Sequence, residues 1–251
     1  MSGRTSFMRA LPVLRSTGLA DRGPAPAQVT RPGAVGACRN LGTTMRQKPA
    51  PPRVASVPAE ADAQVVAVLA EAFADYPALR FLIGPVGPSF PERLSALLAF
   101  FVAARRVRGE PVLGVRGERG WGAVALATLP DTVAPAGALD VVRERTWGLL
   151  GADARARYEA LGRRWAQLAV REPHVHLNLV GVLAAERGRG LGAALVRAVV
   201  ARSRAHATSR GVLLSTETEA NVGFYRALGF EALGTVEVAP GVRSWVMYRP
   251  D

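Results

Sequence analysis

A single cysteine, Cys38, stands among the 251 residues, so the chain can form neither an internal disulfide nor a cysteine-based zinc site. Histidine is nearly as scarce. With only His174, His176 and His206, the sequence offers no set of ligands for a multi-histidine metal centre, and no metal is expected. Long apolar runs are also missing: the longest, Leu94 to Ala104 with Ser95 inside it, is far shorter than the ~20 residues a bilayer span needs. These absences point to a soluble protein with no membrane partner, in a reducing compartment such as the cytoplasm. Acid is nearly absent from residues 1–53, where Asp21 alone stands against nine basic residues.

What is present is apolar. Hydrophobic residues make up 49% of the chain, which excludes a wholly disordered or collagen-like polymer. The formal charge of +12 is unevenly spread, with +8 of it in residues 1–53. That segment holds six Gly and seven Pro and shows no apolar period of two or 3.6. It reads as a disordered basic tail; a transit peptide, or a true start at Met45, are the alternative readings. Residues 54–251 carry only +4 and read as one domain of about 200 residues. The charge therefore belongs mainly to the tail and not to a folded basic face with interleaved aromatics, which argues against a nucleic-acid partner.

Within 54–251 helical and strand patterns alternate. Glu60 to Asp75 places Val65, Val66, Val68, Leu69, Ala72 and Phe73 on a helical stripe, and Pro91 to Val107 reads as a proline-opened helix. Val112 to Val115 and Gly122 to Thr128 read as a hairpin around Arg116 to Gly120, and helices follow over 141–150 and 152–170. His174 to Val182 reads as a strand with Val175, Leu177 and Leu179 on one face and His174, His176 and Asn178 on the other. A helix over 190–205, a strand over 212–216, a short helix capped by Asn221, and strands over 231–238 and 242–248 complete the chain. The sum is a single α/β domain with a mixed central sheet flanked by helices.

Chemistry concentrates between that strand and the helix at 190, in Glu186-Arg-Gly-Arg-Gly-Leu-Gly-Ala193. Three glycines let the backbone approach a ligand closely, and the adjacent helix N-terminus offers unpaired N–H groups and a positive dipole end. Together with Arg187 and Arg189 they form a candidate phosphate site; an ordinary glycine-rich turn is the bland alternative. A triphosphate loop is excluded for want of Gly-Lys-Ser/Thr. The stretch Gly188-x-Gly190-x-x-Ala193 also fits a relaxed dinucleotide fingerprint, but Ala207 to Val212 supplies no acid for a ribose.

Arg187-x-x-Gly190-x-Gly192 resembles the acyl-CoA pyrophosphate signature of the Gcn5-related N-acetyltransferases, the GNAT superfamily. About thirty residues further on, Asn221-Val-Gly-Phe-Tyr225 and the following Gly229-Phe230 resemble its second signature. The segments 236–247 and 72–77 further resemble the puromycin N-acetyltransferase branch. The resemblance implies a GNAT-type, mostly antiparallel sheet and acetyl-CoA as acyl donor. The backbone of Val180, Gly181 and Val182 would hold the pantetheine arm, and the region of Arg187, Gly188, Arg189, Gly190, Leu191, Gly192 and Ala193 the pyrophosphate. Asn221 would touch the cofactor arm. Tyr225 would protonate the departing thiolate, a role that suits a phenol of pKa about 10; the alternative for Tyr225 is a core aromatic, although a Phe224–Leu228 apolar pair would point it elsewhere.

An attacking amine must lose a proton. Glu217, Glu219, His174 and Asp75 are candidate bases, and Glu217 is preferred because it follows a strand end beside the expected cofactor. Asp75, Tyr76 and His174 are the candidate acceptor-binding residues. Two departures from the family stand out: Leu183-Ala184 follows the strand where Asp-Pro or a similar pair is common, and Ser215 stands where the puromycin-type branch often has Glu. The resulting expectation is a monomeric or homodimeric N-acetyltransferase acting on a small-molecule amine in a ternary complex. A peptide or protein amine as acceptor and a catalytically silent acyl-CoA sensor are the alternatives.

Overall fold

The computed structural model describes residues 52–168 and 170–251, and beyond these the two-residue strand β1 (Leu14–Arg15). The tail, transit-peptide and start-site readings fall almost wholly outside the described residues. In chain order the elements are β2 (Val54–Ser56), α1 (Asp62–Phe73), α2 (Pro77–Ile83), α3 (Phe90–Val107), β3 (Val112–Gly117) and β4 (Gly120–Thr128). They continue with α4 (Asp140–Leu150), α5 (Ala152–Trp165), β5 (Val175–Val182), α6 (Leu191–Ala205) and β6 (Gly211–Thr216). The last are α7 (Glu219–Arg226), β7 (Glu231–Ala239) and β8 (Val242–Pro250).

Seven strands follow one another in a sheet in the order β2-β3-β4-β5-β6-β8-β7, antiparallel along that order except between β5 and β6, and β1 pairs with β5 in parallel off this path. One face is covered by α1 to α5 and the other by α6 and α7, each over its own apolar cluster. Spacing explains the helices. Val65, Val68, Leu69, Ala72 and Phe73 recur at the positions that keep one stripe of α1 on the sheet, and each such side chain contributes about 1.5–3 kcal/mol on burial. In α6 the stripe is Leu191, Leu195, Val196, Val199 and Val200. Among the described residues no helix is long and apolar enough to cross a membrane.

Several expectations are corrected. The hairpin turn shrinks to Glu118 and Arg119, because the strands extend to Gly117 and Gly120. The helix expected over 152–170 ends at Trp165 and is followed by one 3-10 turn over 166–168. Asn221 does not cap α7. Thr218 holds the cap position, and Asn221 lies inside the helix, buried. Two elements were not anticipated: α2, two turns introduced by Pro77, and β2, three residues whose strand conformation comes from pairing with β3.

The expected simple alternation along β5 also fails. Leu126 of β4 stands opposite Leu179 but Ala127 stands opposite Leu177, so Asn178 is an extra residue, a β-bulge. Val175 and Leu177 face the α6 side; past the bulge that side is taken by Val180 and Val182, while Leu179 joins the other core. Thr128 Oγ1 donates to Asn178 Oδ1 at 2.9 Å and anchors the irregularity.

Candidate active site

The bulge sits where β5 leaves β6. The two parallel strands are registered only at Val175–Val212 and His176–Leu213. From Leu177 to Val182, β5 therefore turns toward β6 a backbone edge that β6 does not pair, and the strands diverge toward their C-terminal ends. That edge accepts an extended chain: β1 pairs in parallel with Leu179 and Val180. Gly181 serves packing as well, since a β-carbon there would lie 3.1 Å from Leu69 Cδ2 and 3.2 Å from Ala72 Cβ of α1.

The glycine loop follows at the wide end of this divergence. Gly188 and Gly190 adopt φ of 75° and 73°, in the left-handed region that glycine enters without steric cost. Gly190 occupies the cap position of α6 with no side-chain cap, and Ala194 makes the first helical bond, back to the Gly190 carbonyl. The amides of Leu191, Gly192 and Ala193 thus stand at an uncapped helix N-terminus. A row of N–H donors there suits a diphosphate, and a strand edge suits the amides of a pantetheine arm, so the residues fit acetyl-CoA. The Arg189 guanidinium bonds the buried Glu186 carboxylate and lies 3.9 Å from Glu118, which makes it a brace of the loop.

Glu186 ties this loop to the β3–β4 hairpin. Its Oε1 accepts the Glu118 N–H at 3.1 Å, and the Leu183 N–H donates to the Gly122 carbonyl at 3.0 Å. The side chain lies against Gly117 and Gly122; a β-carbon on Gly117 would collide with its carboxylate, and one on Gly122 would lie 3.0 Å from its Cγ. Gly117→Ala is accordingly expected to push Glu186 out without changing any charge. Titration should then show acetyl-CoA binding weakened about tenfold, equivalent to ~1.4 kcal/mol. An unchanged Kd would mean that the hairpin does not hold the loop.

On the α1–α5 face, at the C-terminal end of β6, lies Glu217. It is buried, and its N–H donates to Tyr76 Oη at 2.9 Å. Tyr76, between α1 and α2, is 3.2 Å from Thr216 Oγ1, which also accepts from Asn221 Nδ2 at 3.1 Å. The Ser244 hydroxyl of β8 donates to Glu217 Oε1 at 2.6 Å, and Trp165 Nε1 donates to Ser244 Oγ at 3.0 Å. Burial pushes the Glu217 carboxyl up to about 7, against the opposing pull of hydrogen bonds from Ser244, Tyr76 and the backbone. A carboxylate titrating near neutrality is suited to accept a proton and release it.

The named candidates thus fall into groups. Glu217, Tyr76 and Asn221 meet through Thr216. Tyr225 lies one turn after Asn221 on the buried face of α7, fully enclosed, with ring centroids 5.2 Å from Phe224 and 5.7 Å from Phe230. The expectation that a Phe224–Leu228 apolar pair would point Tyr225 elsewhere is corrected: Tyr225 is the residue in the core, and those two are only partly buried at its margin. Asp75 is exposed and pairs with Arg80 at the surface. His174 stands just before β5, at the end of the strand remote from the glycine loop, with Nδ1 2.7 Å from the Glu172 carbonyl. Glu219 is exposed in the first turn of α7. Ser244 and Trp165 escaped the sequence reading because no local motif marks them. Among the described residues no cluster of three or more His, Cys, Asp and Glu could hold a metal ion.

The site is thus a mixed sheet whose parallel pair separates at a bulge, with an uncapped helix N-terminus at the wide end. The family model described as acetyltransferase (GNAT) domain matches residues 145–232, which include both signatures and Glu217. A Corynebacterium glutamicum structure described as histone acetyltransferase HPA2 and related acetyltransferase superposes with a TM-score of 0.61 at 23% identity, over 80% of this chain and 97% of that one. Arylalkylamine N-acetyltransferase 2 from Aedes aegypti gives 0.52 at 15% identity, over 79% and 98%. The Drosophila melanogaster polyamine N-acetyltransferase gives 0.50 at 17% identity, over 78% and 97%. These likenesses show that the chain has the fold of these acetyltransferases, and the family model finds an acetyltransferase (GNAT) domain within residues 145–232.

Proposed function

We propose that the protein is an acetyl-CoA-dependent N-acetyltransferase that acetylates the amine of a small molecule by direct attack in a ternary complex. The observation that carries this reading is the divergence of β5 from β6 at the Asn178 bulge, flanked by the glycine loop on one side and by the buried Glu217 on the other. Acetyl-CoA, when bound, supplies the acyl group as a thioester. The backbone of Val180, Gly181 and Val182 holds the pantetheine arm, with Asn221 beside it. Arg187 and the amides from Gly188 to Ala193 hold the pyrophosphate. Glu217 takes the proton from the attacking amine, and Tyr225 gives one to the departing sulfur. Tyr76 borders the acceptor side with the exposed Asp75 next to it in the chain, whereas His174, at the opposite end of β5, lies away from it.

The modest charge of residues 54–251 favours a small acceptor, and two proteins of this fold are named for small amines. Within the superfamily, the segments 72–77 and 236–247 favour the puromycin-type branch. The single cysteine suits the cytoplasm, and the protein acts as a monomer or homodimer.

Calorimetric titration with acetyl-CoA and NADH, followed by a thiol-release assay with small amines and with peptides, tests this reading. Micromolar binding of acetyl-CoA alone and amine-dependent thiol release are expected, with Tyr225→Phe slowing release about 100-fold. Absence of acetyl-CoA binding overturns the proposal. Binding without release would make the protein a silent acyl-CoA sensor, and release with peptides alone would change the acceptor class.

A further inference from the structure

The hydrogen-bond chain from Trp165 through Ser244 to Glu217 has a direction. Trp165 Nε1 can only donate, so at 3.0 Å it fixes Ser244 Oγ as an acceptor. The serine proton is thereby left to donate, and it goes to Glu217 Oε1 at 2.6 Å. Sheet register builds this pair: Thr216 stands opposite Trp245, so the next position on β6 meets Ser244 on β8. Ser244 is fully buried, and Trp165 and Glu217 are 8% and 7% exposed.

We propose that Ser244, oriented by Trp165, is a positioning residue that holds the Glu217 carboxylate in one pose through Oε1. This rests on the reading of Glu217 as the base. The geometry gives the serine a specific electrostatic effect. Its O–H favours the ionised carboxylate, in opposition to the burial that disfavours it. The groups that reach Glu217 from the surrounding elements are Tyr76 from the α1–α2 junction, Ser244 from β8, Trp165 from α5 through that serine, and Asn221 from α7 through Thr216. Of these only Tyr76 is titratable, and its phenol is neutral near pH 7.

The test compares wild type, Ser244→Ala, Ser244→Thr and Trp165→Phe. Two quantities are read on each: the titration of the Glu217 carboxyl by carbon NMR of glutamate-labelled protein, and the pH dependence of kcat/KM. Ser244→Ala is expected to raise the carboxyl midpoint and to move the acid limb of the rate profile upward with it. Trp165→Phe should produce a smaller shift in the same direction, and Ser244→Thr should restore the wild-type values. An unmoved carboxyl midpoint in folded Ser244→Ala overturns the positioning role, even where thermal stability falls. A midpoint that moves while the rate profile stays put shows instead that Glu217 is not the base. Threonine therefore serves as the folding control, since it keeps the hydroxyl in place.

Discussion

Glu217→Gln is expected to lower kcat by about 10²- to 10⁴-fold, the usual contribution of a positioned proton acceptor, while leaving acetyl-CoA affinity within about twofold. Glutamine keeps the shape and still accepts from Ser244 through its carbonyl, so the loss should be chemical. Wild-type kcat/KM should rise through a single ionisation near pH 7, where burial has placed the carboxyl, and the glutamine variant should lack that limb. Stability should show the opposite trend. Between the ordinary carboxyl value of 4.5 and about 7, the folded protein holds this proton more firmly than the unfolded chain does. Stability therefore has its full contribution below 4.5 and declines as pH rises toward 7. The variant should lose that slope and gain on the wild type above neutrality, as thermal unfolding across pH would show. Full activity in a folded glutamine variant would remove Glu217 from the mechanism.

Gly190→Glu should have the larger effect on binding. The residue caps α6 at φ 73°, beside the amides that would receive the pyrophosphate. A β-carbon there meets nothing within 4 Å, so the strain is confined to the left-handed backbone, about 1–2 kcal/mol. For a domain of this size that costs a few degrees of thermal stability. The new carboxylate, however, would lie where an anion is expected, and acetyl-CoA affinity should fall by at least about 100-fold, equivalent to ~2.7 kcal/mol. Gly190→Asn separates the two causes, because asparagine tolerates this backbone and brings no charge. It should bind acetyl-CoA nearly as wild type does. Equal binding by the glutamate variant would show that the loop is not the anion site.

The sequence made the glycine loop, the Asn221–Tyr225 helix and most of the sheet legible, because each is written in a local pattern. What it hid is instructive. α2 is two turns long, too short for a 3.6 period to emerge, and β2 is a strand only because β3 is beside it. The bulge at Asn178 left one sign, the adjacent apolar pair Leu179 and Val180, which breaks a strict alternation. Tyr76, Ser244 and Trp165 could not be joined to Glu217 from the sequence. They are 141, 27 and, through Ser244, a further 79 positions distant; Tyr76 is brought in by the α1–α2 junction packing on the end of β6, and Ser244 with Trp165 because β8 lies next to β6.

That adjacency bears on how the protein is made. β8 is synthesised after β7 yet lies inside it, between β6 and β7. Until β8 emerges from the ribosome, β7 has no strand to pair with, β6 keeps an open outer edge, and Glu217 has no serine. A nascent chain stopped short of Ser244 would carry the whole glycine loop and both signature motifs, yet would lack a finished sheet and the hydrogen bond to Glu217. The glycine loop and both motifs are thus synthesised before the strand that brings Ser244 to Glu217, and the two ends of the site are completed at different moments of synthesis.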